Sequence, residues 1–211
     1  MAQFWAAKIQ QTRRDVLAVH EHAEACVTLA LAQGFPQHAA HGMGLRGWAL
    51  VMQGQSEAGL AQVRQGLAAC RAIGPLGIPD LCLFLANISY HLGHTEDGLQ
   101  ALAEAHVLVE QREERWWEAE VCRLRGVLLL RQPGTPQAEA ETWLQRALDV
   151  ARRQQATPLE LRAAMSLARL WQQQGKRSEA HELLVPVYGW FAEGFDTADL
   201  LEAKALLEEP A

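Results

Sequence analysis

The side chains best placed to do chemistry are two histidine pairs, His38 with His41 and His91 with His94. A spacing of three puts both imidazoles of a pair on one helical face, within reach of one metal ion. No carboxylate or cysteine completes either pair at a familiar ligand spacing, and His94 follows Gly93, where a helix should end. They read as solvated or packed histidines, and no metal is expected. The cysteines Cys26, Cys70, Cys82 and Cys122 are far apart, with no Cys-x-x-Cys. Cys26, Cys82 and Cys122 fall at packed helix positions, so they read as small buried hydrophobes rather than a zinc or redox site. Glu113-Glu114 and Glu208-Glu209 read as surface charge. No Gly-x-Ser-x-Gly, His-Glu-x-x-His, phosphate-binding loop or acidic calcium loop occurs. No catalytic residue, no cofactor and no enzymatic activity are therefore expected.

Composition narrows the class further. In 211 residues, 49% are apolar and 21% charged, ample material for a packed core. The net charge of −6 argues against a generic nucleic-acid binder. Its distribution is uneven: Arg112 to Arg177 carries 12 basic and 8 acidic residues, against 7 and 17 elsewhere. That basic segment could attract an acidic partner, or simply solvate helix faces. The opening Met1-Ala2-Gln3-Phe4-Trp5 lacks the basic start and apolar run of a signal peptide. The longest stretch without Asp, Glu, Lys or Arg, Ala25 to Leu45, contains Gln33, Gly34, Pro36 and two histidines, which a bilayer core would exclude. A soluble, cytoplasmic protein without nucleic-acid or membrane partners is expected.

What must position any site is a chain of amphipathic helices. Leu45-Arg46-Gly47-Trp48-Ala49-Leu50 leads to a turn at Gln53-Gly54, then to Glu57-Ala58-Gly59-Leu60, Val63 and Gly66-Leu67. Each interior glycine costs a helix about 1 kcal/mol, so Gly47, Gly59 and Gly66 point to a close approach of two backbones. The pattern recurs. Ala7, Gly47, Ala86, Gly126 and Ala168 are spaced 40, 39, 40 and 42 apart, and Cys26, Gly66, Ala105, Ala147 and Val187 are spaced 40, 39, 42 and 40. Two independent registers agree on a repeat. The expected units run over about 1–34, 37–74, 79–112, 114–155 and 158–192, with a capping helix over 196–208. Within them, Val16 to Gln33 forms a second helix, Gln132-Pro133-Gly134-Thr135-Pro136 is a lengthened turn, and the fifth unit ends near Phe191. Asp196-Thr197-Ala198-Asp199 supplies a helix N-cap, and Leu200, Ala203 and Leu207 share one face of the capping helix. Trp116, Trp117, Trp143, Trp171 and Trp190 read as core anchors. No segment alternates with period two, so no sheet is expected.

At the Gly54, Gly93 and Gly175 turns this pattern resembles the tetratricopeptide repeat (TPR). Small residues fill the motif's positions eight, twenty and twenty-seven (Gly47, Gly59, Gly66; Ala86, Gly98, Ala105), and Val63, Leu102, Leu144 and Leu184 fill position twenty-four. The resemblance implies an all-α, right-handed α-α superhelix, a TPR-like solenoid of five helix pairs plus a C-terminal capping helix. The period exceeds the usual repeat of about 34 residues, so the units are similar to the long ones of the maltose-regulator type of bacterial signalling protein. Gly34-Phe35-Pro36, Arg115-Trp116-Trp117-Glu118-Ala119-Glu120, Ser166-Leu167-Ala168-Arg169-Leu170-Trp171 and Pro186-Val187-Tyr188-Gly189-Trp190-Phe191 also resemble the C-terminal repeats of large bacterial proteins. In those proteins an adenylate or guanylate cyclase domain and a signalling ATPase domain precede the repeats. The chain reads as that repeat region alone, a fragment or a free-standing relative, so neither activity carries over.

In a TPR array the first helices line the concave groove. Transferring the motif's groove positions gives Lys8, His41, Trp48, Asp80, Asn87, Tyr90, His91, Glu120, Arg123, Arg131, Arg162, Arg169 and Gln172. Arg123, Arg162 and Arg169 could hold a carboxylate by bidentate bonds, with Trp48 and Tyr90 as apolar anchors. Alternatively the arginines are solvated and Trp48 packs between repeats. Leu83 stands where the chaperone-binding carboxylate clamp has lysine, so chaperone-tail binding is not expected. The resemblance implies a scaffold that binds a protein or peptide, a small-effector sensor, or a structural segment that dimerises through its uncapped first repeat, where Phe4, Trp5 and Ile9 need cover.

Overall fold

The computed structural model describes residues 1–112 and 115–209; the pair Glu113-Glu114 lies outside them. The described residues form helices and loops, without strands. The α-helices are α1 (Ala2–Arg13), α2 (Val16–Gln33), α3 (Pro36–Met52), α4 (Ser56–Ile73), α5 (Ile78–Leu92), α6 (Thr95–Arg112), α7 (Glu118–Leu129), α8 (Gln137–Arg153), α9 (Thr157–Gln173), α10 (Arg177–Tyr188) and α11 (Ala198–Glu208). They make five pairs and a final single helix. Two compact units divide them, Met1–Glu114 and Arg115–Ala211.

In the first unit each helix packs on the next, and α1, α3 and α5 also touch in series. Local chemistry sets the ends. Asp15 caps α2 by accepting from the Ala18 N–H at 3.1 Å, Pro36 and Pro79 sit in the first turns of α3 and α5, and Gly34 and Gly93 end α2 and α5 in the left-handed region. The closest approach is between α3 and α4. A Cβ on Gly47 would lie 2.6 Å from the Gly59 carbonyl oxygen, and one on Gly59 would lie 2.5 Å from the Gly47 oxygen. Only glycine at both positions permits this separation. Val19, Leu45, Val63, Leu81, Ile88 and Leu102 are fully buried in this unit, each stabilising by about 1.5–3 kcal/mol. All four cysteines of the chain are buried and free, Cys70 included.

In the second unit α7, α9 and α11 form the corresponding series, and α8 and α10 back it. Leu144, Leu161, Met165, Leu167, Leu170, Leu184 and Leu200 centre the core, with Trp143, Trp171 and Leu207 packed at its edge. Gly126 here faces the Leu144 side chain, 2.8 Å from an added Cβ.

Several local expectations need correction. Arg115–Trp117 form one 3₁₀ turn before α7 rather than its first residues, which leaves Trp116 66% exposed. Trp190 is 67% exposed because α10 stops at Tyr188, not near Phe191. Pro186 lies inside α10, where it offers no N–H to the preceding turn, and the helix ends two residues beyond it, with Gly189 as the C-cap. Neither tryptophan is a core anchor. Thr197 occupies the N-cap of α11, but its hydroxyl donates backward to the Gly194 carbonyl at 2.7 Å instead of accepting from the helix. At the end of α11 Leu206 is buried with Leu200 and Ala203, and Leu207 packs partly buried against the same core.

Candidate functional site

In the first unit, the positions transferred to the groove are largely consumed by packing. Lys8 and Asp80 are 6% and 5% exposed and form a buried ion pair that joins α1 to α5. The Lys8 ammonium also lies 4.5 Å from the centre of the Phe84 ring. His41 is buried; its Nδ1 is 2.8 Å from the Gln37 carbonyl oxygen, which can only accept, so Nδ1 carries the proton. Trp48 is 4% exposed, and its indole N–H donates to Asn87 Oδ1 at 2.9 Å, tying α3 to α5. Trp48 is thus an inter-repeat packing residue. Tyr90 and His91 lie at the end of α5, with ring centres 5.6 Å apart and edge-to-face; Tyr90 is half-buried and His91 exposed.

The second unit uses the same positions differently. Arg123 makes a bidentate pair with Glu120 on its own helix (2.7 and 2.8 Å) and reaches Ser166 Oγ on α9 at 3.3 Å. Arg162 donates to Asp199 at 2.6 Å, Arg169 to Glu202 at 3.0 Å, and Gln172 to the Leu206 carbonyl at 3.4 Å. Those three contacts fasten α9 to successive turns of α11. Arg123, Arg162 and Arg169 therefore do not converge on one open carboxylate site: each holds an acid of this chain. Arg131 lies in the exposed loop 130–136 after α7, because Pro133 and Pro136 cannot continue the helix.

A feature that escaped sequence reasoning lies on the second helices. Arg64 pairs with Asp97 at 2.8 Å, and Arg71 holds Glu104 through both carboxylate oxygens, each contact spanning 33 residues between α4 and α6. Its only trace in the sequence is two arginines seven apart and two acids seven apart. The hydrogen bond to Glu104 raises the Arg71 pKa further. Burial raises the thiol pKa of Cys26, Cys70 and Cys82, so these sulfurs stay protonated and unreactive at neutral pH. Burial, followed by the positive amino terminus and His41, lowers the His38 pKa. Among the described residues no group of three or more His, Cys, Asp or Glu is placed to hold a metal ion, and no helix is long and apolar enough to cross a membrane.

Solved structures share this architecture at low identity. A Podosopora anserina protein assigned as a kinesin light chain, with nearly identical TPR-like repeats, aligns over 99% of this chain and 96% of its own, at 16% identity and a TM-score of 0.59. A single-substitution variant of the same repeats covers 89% and 92% at 19% identity, again with a TM-score of 0.59. MamA covers 96% and 95% at 11% identity and 0.52. No family profile and no curated protein matches the sequence. The fold is that of a TPR-like repeat protein.

Proposed function

We propose that the chain is a non-enzymatic interaction module that binds a protein or peptide segment through its first helices. The observation that carries the reading is the Tyr90–His91 pair, which ends the series α1, α3, α5 with an aromatic ring and an exposed imidazole. Aromatic anchors of this kind carry much of the energy of protein interfaces. The phrases shared with cyclase-plus-ATPase proteins support a place as the regulatory repeat region of a bacterial, cytoplasmic signalling protein. The test is affinity capture from the source lysate with wild type beside Tyr90→Ala,His91→Ala. A protein retained by the first and lost by the second, at equal thermal stability, supports the reading; unaltered capture rejects this face.

A second reading, small-effector sensing, draws support from a cavity of about 300 Å³ lined by Ala168, Gln172, Ala180, Leu184 and Leu206. That volume is at the lower end for small-molecule sites. A metabolite that raises the melting temperature of wild type but not of Ala180→Leu would favour it. Dimerisation draws support from Trp5 and Ile9 on α1, 51% and 57% exposed; a strictly monomeric mass by light scattering would dismiss it.

A further inference from the structure

We infer that Arg125, Trp143 and Arg146 in the second unit form a recognition site for a carboxylate side chain of an acidic partner peptide. This rests on the reading of the chain as an interaction module, but not on the Tyr90–His91 face. The half-buried arginines Arg46, Arg123, Arg146 and Arg162 each have a carboxylate: Glu24, Glu120, Glu118 and Asp199 respectively. Arg125, equally half-buried, has none among the described residues, and its Nε is buried without a hydrogen-bond partner.

The repeat register shows why. Arg46 and Arg125 occupy the same motif position, each just before the packing glycine of Leu-Arg-Gly. Arg46 is held by Gln62 at 2.7 Å and Glu24 at 2.5 Å. At the position answering to Gln62, the sequence carries Trp143. That oxygen acceptor has been replaced, and the guanidinium stacks on the Trp143 ring instead, 4.4 Å from its centre. Arg146 lies 5.3 Å from the same ring, and its bond to Glu118 is long, at 3.5 Å. Two guanidinium groups therefore lie against one indole.

A cation–π contact offsets only part of the cost of desolvating a guanidinium. A carboxylate would satisfy the remaining donors of the planar fork, while the indole packs against the ligand's methylene stem. The Arg112–Arg177 segment is net positive in a chain that is net negative. That combination attracts a few carboxylates on a short peptide but disfavours an extended polyanion.

The test is fluorescence anisotropy of a labelled hexaglutamate peptide, with hexalysine and a single-stranded oligothymidine as comparison probes. Arg125→Gln should weaken hexaglutamate binding about tenfold and Arg125→Lys, which keeps charge without the fork, about threefold. Arg153→Gln, an exposed site in the same basic segment, should change it less than about twofold. Wild type that fails to bind hexaglutamate, equal losses in Arg125→Gln and Arg153→Gln, or tighter binding of the oligonucleotide would each overturn the inference. None of these outcomes depends on the lysate experiment, so the two readings fail separately.

Discussion

The first-helix faces of the two units do the same job with opposite chemistry. In the first, α1, α3 and α5 are joined by Lys8–Asp80 and Trp48–Asn87, with Lys8, Asp80 and Trp48 shut away from water. In the second, α9 and α11 are joined by Arg162–Asp199 and Arg169–Glu202, whose side chains keep 15–44% of their surface. A pair of unit charges worth about 1 kcal/mol in water is worth several times more in a protein interior, where desolvation costs rise equally steeply. The buried set should therefore tolerate salt but not the deletion of one partner. The exposed pair of the second unit, Arg169–Glu202, should tolerate deletion and respond to salt.

The sharpest way to break this comparison is Asp80→Ala. It leaves the Lys8 ammonium buried without its carboxylate and should cost about 3–5 kcal/mol in urea denaturation. The double change Lys8→Met,Asp80→Leu should recover most of that loss, since apolar groups of similar volume need no partner. A cost for Asp80→Ala below about 1 kcal/mol would place the pair with the exposed ones.

Helix packing allows the units to be compared a second time, with a smaller effect. At Gly47 a methyl group would meet the Gly59 carbonyl, which is backbone and cannot move aside. At Gly126 it would meet Leu144 Cγ and Cδ2 at 2.8 and 2.9 Å and the Ala140 carbonyl oxygen at 3.0 Å, a looser backbone contact than the 2.6 Å at Gly47. Replacing glycine by alanine gains about 1 kcal/mol of helix propensity at either site. Gly47→Ala should nonetheless destabilise by about 1–3 kcal/mol and lower the melting temperature clearly. Gly126→Ala should destabilise less than Gly47→Ala, whereas Gly126→Leu should force α7 and α8 apart. Equal melts for Gly47→Ala and wild type would mean that the α3–α4 contact is looser than described.

The features legible in the sequence are those that depend on a residue's size or backbone alone. Gly47, Gly59 and Gly66 announce a close helix contact whatever lies opposite, and Gly34 and Gly93 announce helix ends whatever follows. Tryptophan size misled at Trp116 and Trp190, because burial depends on the helix reaching the residue: α7 begins only after the 3₁₀ turn that holds Trp116, and α10 stops at Tyr188. Motif transfer placed Asn87, Arg162, Arg169 and Gln172 on the first helices, but a motif carries no record of partners. Whether such a side chain turns to solvent or to the next helix depends on partners 34 to 39 residues away, such as the Trp48 indole N–H that donates to Asn87 and the Leu206 carbonyl that accepts from Gln172. Arg125 shows the converse: its lack of a carboxylate becomes visible only when it is aligned with Arg46.

The smallest expected effect is the most discriminating for the second unit. Arg169 and Glu202 remain 44% and 40% exposed, so Arg169→Gln should cost no more than about 0.5–1 kcal/mol at low ionic strength. In about 1 M NaCl, where the screening length falls to about 3 Å, that cost should vanish, while the cost of Asp80→Ala should persist. If the Arg169→Gln penalty survives high salt, the pair acts through geometry, by orienting α11 so that Leu200, Ala203 and Leu206 seat in the core. Shortening the side chain with Arg169→Ala separates these cases: a loss equal to that of Arg169→Gln assigns the effect to the guanidinium, and a larger one to the packing of its methylene stem.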